Sequence, residues 1–374
     1  MTSLASYLNK FILILISVLL LFPGFVDSKE IGKKNSATKK ERIRVAVFPL
    51  ENLSGSMGPV KEIRQMFIEK LRTTGTDVLD EETLEKFMAR HRIRYTGGID
   101  RNTAQAFKRE VNIDSVLITS LEFYSDANSP KISLISRLVS TGDNPSILWM
   151  EGVGLAGDDS PGFLSLGLIE DPKVLLDKAI KVMFDSLNQY VSMKADGREA
   201  HPAKRKFRPK IFYRSPALDP ARKYTVAIAP FINLSSRKYA GDIMTLHLAN
   251  ELKKFDNFNV IEFGMVRQTF LELRIIMDEG ISLTNADSVL ALLNADLILC
   301  GNVTDYDDYQ GIWGKPKVGF TIQLIARKGQ EVVWSSNSYN EGDDGVFFFD
   351  AGRVNTASAM ASQMIRSIAK MIAK

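Results

Sequence analysis

The chain has 374 residues, 45% of them hydrophobic and 25% charged, with a formal net charge of +4. This is the balance of a folded globular protein long enough for two ordinary domains, and it excludes a chain kept disordered by its charge. The modest net charge gives nucleic-acid binding no support, and a single cysteine, Cys300, leaves no intrachain disulfide to form.

Residues 1–28 read as an export signal. Lys10 precedes the apolar run 11–22 (FILILISVLLLF), Pro23-Gly24 breaks it, and Val26-Asp27-Ser28 offers small residues to a signal peptidase. A run of that length fits a signal-peptide core and falls short of the roughly 20 residues needed to cross a bilayer. Cleavage after Ser28 is expected, with retention as an uncleaved anchor the alternative. No cysteine lies near residue 28, so no covalent lipid anchor is expected. A basic leader, 29–42 (KEIGKKNSATKKER), follows.

Beyond it the chain repeats itself. VAVFPLENLS (45–54) returns as VAIAPFINLS (226–235), an offset of 181 with six identities. Arg92, Gly98, Asn112, Asp114 and Tyr124 return as Arg274, Gly280, Asn294, Asp296 and Tyr306 at 182, and Trp149 returns as Trp334 at 185. Preserved order at near-constant spacing marks a tandem duplication, with repeats expected at 43–193 and 223–374.

The elements follow in the same order in each repeat. A buried strand over 44–50 is followed by a helix with Ile63, Met66, Phe67 and Leu71 on one face, or Met244, Leu248 and Leu252 in the second repeat. A short strand comes next (76–79; 259–262), then two helices (81–92 and 102–111; 264–277 and 284–293). Three strands follow (114–123, 131–140, 146–154; 296–305, 317–327, 331–338). Gly142-Asp143-Asn144 and Lys328-Gly329-Gln330 supply the turns before the tryptophan strands. A closing helix carries Leu176, Ile180, Met183 and Leu187, or Met364, Ile368 and Ile372. The order β-α-β-α-α-β-β-β-α gives two tandem mixed α/β domains, each a sheet flanked by helices, and each is expected to fold alone. Residues 194–222, rich in Lys, Arg and Pro, read as a solvated linker between them.

Enzyme signatures are missing. His91, His201 and His247 have no ligand partner at metal spacing, and HExxH, CxxC, GxSxG and P-loop patterns do not occur. No catalytic residue, cofactor or metal is expected. The loop 52–58 (NLSGSMG) resembles a phosphate cradle, but its counterpart NLSSRK (233–238) loses Gly55, so Asn and Ser satisfying the turn is the plainer reading. Asp158-Asp159 and Asp343-Asp344 cannot by themselves supply the six to eight oxygens of a Ca²⁺ site, and read as a loop capping the sheet. Cys300, in the apolar run LILC, reads as an inert core thiol. Trp313 and Tyr309 in the glycine-containing connection 307–317, and Phe348 in the run FFF, are the candidate partner contacts.

The first-strand pattern V-A-[VI]-x-P-[FL]-x-N-L-S, the strands DSVLITS and ADLILCGNV, and the hairpins ending in tryptophan resemble the curli-secretion-channel (CsgG) superfamily. That fold is shared with the N-terminal domain of TolB and with lipoprotein activators of penicillin-binding proteins. The resemblance implies a periplasmic or outer-membrane-associated scaffold with no catalytic residues to carry over. Two departures stand out: the missing lipid-anchor cysteine, and connections (125–131 and 307–317) too short for a membrane-spanning hairpin. The resulting expectation is a non-enzymatic scaffold or assembly factor of the bacterial envelope, itself no channel. Its partners would be envelope proteins or further copies of itself, with peripheral association at the outer membrane. The alternative is a small-ligand binder or enzyme using the cleft between the repeats, for which polar groups from both repeats must converge in one pocket.

Overall fold

The computed structural model describes residues 43–159, 167–192, 207–276, 281–309, 314–344, 346 and 352–374. The expected export signal, the leader and residues 194–206 of the expected linker lie outside them. The first repeat runs β1 (Arg44–Val47), β2 (Glu51–Asn52), α1 (Val60–Thr73), β3 (Asp77–Val78), α2 (Glu81–Arg90), α3 (Arg101–Val111), β4 (Ser115–Ser125), β5 (Lys131–Ser140), β6 (Ile147–Ala156) and α4 (Pro172–Ser192). After β7 (Ile211–Arg214) the second repeats that order. It runs β8 (Tyr224–Ile228), β9 (Ile232–Asn233), α5 (Ala240–Leu252), β10 (Phe258–Val260), α6 (Phe263–Glu272), α7 (Leu283–Leu293), β11 (Leu297–Asp307), β12 (Lys317–Ala326), β13 (Glu331–Glu341) and α8 (Ala357–Ala373). The mixed α/β class and the element order are those expected.

Each repeat builds one mixed sheet, ordered β3-β1-β4-β5-β6 with β2 beside β4, and β10-β8-β11-β12-β13-β7 with β9 beside β11. The first strand is parallel to both its neighbours, and the long strands are antiparallel. The expected strand 44–50 is split, because Pro49 has no N–H to give the ladder.

The repeated residues hold repeated joints. Asp114 and Asp296 each accept the N–H that opens the first strand, from Arg44 at 2.8 Å and Thr225 at 2.9 Å. Asn112 and Asn294 close the helices before them in the left-handed conformation, φ 49° in both. Arg92 and Arg274 share φ 54°, which ends α2 and α6 short of the expected 92 and 277. Trp149 and Trp334 are both buried; the Trp149 indole N–H donates to Ser186 of α4 at 3.1 Å.

Two expectations need correction. The C-terminal part of the expected linker is structured: β7 pairs antiparallel with β13, Phe212 stacks on Trp334 at 5.5 Å, and Phe207 and Leu218 are buried. Ile211, Phe212 and Tyr213 carry strand propensity, but the segment is only four residues long, and the open edge of β13 supplies its partner groups. The repeats are also not separate bodies. Ile135, Ile147 and Met150 of the first sheet belong to the same buried core as Met244, Leu248, Met364 and Ile368 of the second repeat.

Candidate functional site: the seam between the repeats

The seam forms because one sheet face is only half covered by its own repeat. α1 and α4 cover one face of the first sheet, while α2 and α3 cover only the β1–β4 part of the other. The β5–β6 part packs on α5 and α8 of the second repeat. Helix α5 is therefore buried from Ala240 to Leu252 at every residue but Asp242, with a sheet on either side.

Sequence differences between the repeats explain why this packing stops after one step. In the first sheet Ile135, Arg137, Met150, Gly152 and Gly154 face the seam. At the matching register the second sheet has Thr321, Gln323, Ser335, Asn337 and Tyr339. Gly154 leaves no room for a side chain: a Cβ would lie 2.8 Å from Thr356 Oγ1. The second repeat puts Tyr339 there, 38% exposed.

Charged groups pin the seam. Arg137 and Glu262, 1% and 0% exposed, share two bonds of 3.2 Å, and Arg137 also donates to Gly97 O. Arg237 reaches back across the seam to the carbonyls of Leu53, Ser54 and Glu122. Glu122 lies 3.3 Å from His247 Nε2, and the other ring nitrogen meets Ser362 at 3.0 Å. Lys131, fully buried, donates to Tyr309 O at 2.9 Å; burial lowers its pKa to about 8. Asp308 Oδ1 accepts the N–H of Ala357 at the start of α8, and its sealed carboxylate is pushed up to about 6 by burial.

Above these pairs a cavity of about 670 Å³ opens between the repeats. Glu51, Tyr95 and Gly97 come from the first; Phe231, Tyr239, Asp242, Phe263 and Arg267 are among those from the second. The Glu51 carboxylate lies against Gly97 and accepts the Ser120 hydroxyl at 2.7 Å through Oε2. Burial raises its pKa against that hydrogen bond, and Asp242 and Glu262 raise it further. The Tyr95 hydroxyl donates to Gly97 O at 3.0 Å, and burial followed by the Glu51 charge holds its pKa well above the ordinary value.

Of the residues singled out from sequence, Tyr309 sits at the seam, half-buried, its ring 2.9 Å from the Lys131 ammonium. Trp313 and Phe348 lie outside the described residues, as does His201. The asparagine loops are turns in both repeats: Asn52 Oδ1 accepts from Ser54 N, and Asn233 Oδ1 from Ser235 N, at 3.0 and 3.1 Å. Asp159 and Asp344 each accept the N–H at the end of the strand before them, from Ala156 and Glu341. Burial pushes the Cys300 thiol up to about 11. Among the described residues no group of three His, Cys, Asp or Glu is placed to hold a metal, and no helix is long and apolar enough to cross a membrane. Sequence reasoning missed Glu51, Arg137 and Asp242. The available signal was divergence: the aligned residues in the other repeat are Ile232, Gln323 and Lys61.

No protein-family model matches the chain, and no curated protein matches it. Solved structures match parts of it. A PelC dodecamer from Paraburkholderia phytofirmans is 20% identical over 44% of this chain and 96% of its own, with a TM-score of 0.31. Lipoprotein GNA1162 from Neisseria meningitidis is 17% identical over 38% and 98%, with a TM-score of 0.29. The LpoB C-terminal domain from Salmonella enterica is 14% identical over 32% and 83%, with a TM-score of 0.26. Each covers about the length of one repeat, and nothing about activity follows from the likeness.

Proposed function

We propose that the chain is a non-enzymatic scaffold or assembly factor of the bacterial envelope, exported to the periplasm by residues 1–28 and related to the curli-channel proteins without being a channel. The observation that carries the interaction role is a surface special to the second repeat. On the α6–α7 hairpin Leu271, Ile276, Leu283 and Leu292 are 50–59% exposed. The aligned residues of the first repeat are Ala89, Arg94, Arg101 and Glu110, and there Arg90 and His91 pair with Glu110 across the same helix ends. A duplicated hairpin that puts exposed aliphatic side chains where its copy has one alanine and three charged residues gains no folded-state stability from them, so a partner is their use. The test replaces the four by their first-repeat counterparts and isolates the protein from the native envelope. The variant should melt as the wild type does and lose the partners that co-purify with the wild type. Unchanged recovery, or a protein that stays in the cytoplasm, counts against this reading.

The cavity supports a second reading, a small-ligand site at the seam, because groups from both repeats converge in it.

A further inference from the structure

Resting on that second reading, we infer that the cavity between the repeats binds a small organic cation, an ammonium or guanidinium group on a short alkyl chain. The charge around its floor decides the sign. Glu51, Asp242 and Glu262 supply three carboxylates, and Arg137 and Arg267 supply two guanidinium groups, so one negative charge is left. Arg137 is committed to Glu262. Of the carboxylates lining the cavity, Glu51 is the one whose Oε1 accepts no hydrogen bond among the described residues, and that oxygen lies beside Gly97. A half-buried carboxylate with one oxygen outside any protein hydrogen bond gains from a charged donor, and its ionised form would repel an anion.

The walls suit the same ligand. Tyr95, Phe231, Tyr239 and Phe263 bring aromatic rings to the cavity. Two of those rings already face guanidinium groups: Arg137 lies 4.7 Å from the Phe263 centroid, and Arg267 lies 4.6 Å from that of Tyr95. Aromatic faces around a carboxylate are the usual surroundings of an organic cation in proteins. Space is set by Gly97, where any Cβ would run into the Glu51 carboxylate and the Tyr95 hydroxyl. The raised pKa of Glu51 adds a sign: a cation should bind the ionised form, so affinity should fall as pH drops through the Glu51 titration.

The cation could be free or the side chain of a peptide, and calorimetric titration of the full exported chain separates the two. The probes are agmatine, a blocked Gly-Arg-Gly peptide, glutarate and maltose. Saturable binding of agmatine, the peptide or both, with a Kd of about 1 mM or tighter, is expected. Glu51→Gln, which can still accept from Ser120, should weaken it at least about tenfold. Tyr239→Gly removes a wall ring at a residue with φ 62°, where glycine is at ease, and should weaken binding several-fold while keeping the fold. Undiminished binding by folded Glu51→Gln overturns the proposal. Saturation by glutarate or maltose without either cation overturns the cation and leaves the ligand site standing. Silence from all four probes removes both.

Discussion

Arg137 and Glu262 show how a single residue commits the two repeats to one another. Each is buried and each lies on a different repeat. Taking one charge away leaves the other in low dielectric, a loss of about 3–5 kcal/mol, whereas replacing both by apolar residues of similar size is often near neutral. Arg137→Met should therefore destabilise strongly in urea melts, and Arg137→Met with Glu262→Leu should recover most of the loss. Additive single effects would mean that the pair does not act as one. Asp308 gives the pH counterpart. Burial raises its pKa to about 6 from an ordinary value near 3.8. The folded state thus keeps a proton that the unfolded chain has released, so this group's contribution is fully present below about pH 4 and is lost as pH rises through about 6. Asp308→Asn keeps the acceptor for Ala357 without the charge. Its melting temperature should match the wild type near pH 4 and exceed it by a few degrees at pH 7–8; a lower value at pH 8 would sink the assignment.

At the scale of elements, the two tryptophan strands differ in what lies beside them. β13 is flanked by β7, so Trp334 has Phe212 stacked on it; the path of the first sheet ends at β6, where Glu151 Oε1 instead accepts the Gly152 N–H. A charged side chain turned onto its own edge is a known way to discourage strand addition. Trp334→Ala should cost about 3–5 kcal/mol as a buried ring. Phe212→Ala should cost only about 1 kcal/mol, since that ring is half exposed and contributes chiefly its stacking. Equal losses in thermal melts would show β7 to be a full member of the core. The strand itself was hidden in a basic, proline-bearing stretch. Its partner groups lie more than a hundred residues away on β13, and no local pattern reports them.

At the scale of the molecule, the shared core makes separate halves a poor description. Residues 43–193 alone would expose Ile135, Ile147 and Met150 and leave Arg137 without Glu262. The intact chain should melt in one cooperative transition. The isolated first half should aggregate or melt well below it, and mixing it with 207–374 should restore much of the lost stability. Two resolved transitions in the intact chain would instead support autonomous repeats.

The duplication and the element order were legible because they rest on local chemistry: apolar periodicity within each element, glycine-bearing turns between the strands, and a proline that cannot donate at the end of the first strand. Asp114, Asn112 and Trp149 stood out because they recur in both copies, while the N–H that Asp114 accepts lies 70 residues away and came only with the fold. The site does not recur. Glu51, Arg137 and Glu262 act as a group only because one sheet lies on the other repeat's helices, which brings Glu262 beside side chains 125 or more positions away. Hydrophobic pattern identifies which face of a strand is buried. It does not state which helix buries it, because apolar burial is non-directional. That choice was made by packing, and with it came the seam, the buried charges and the cavity.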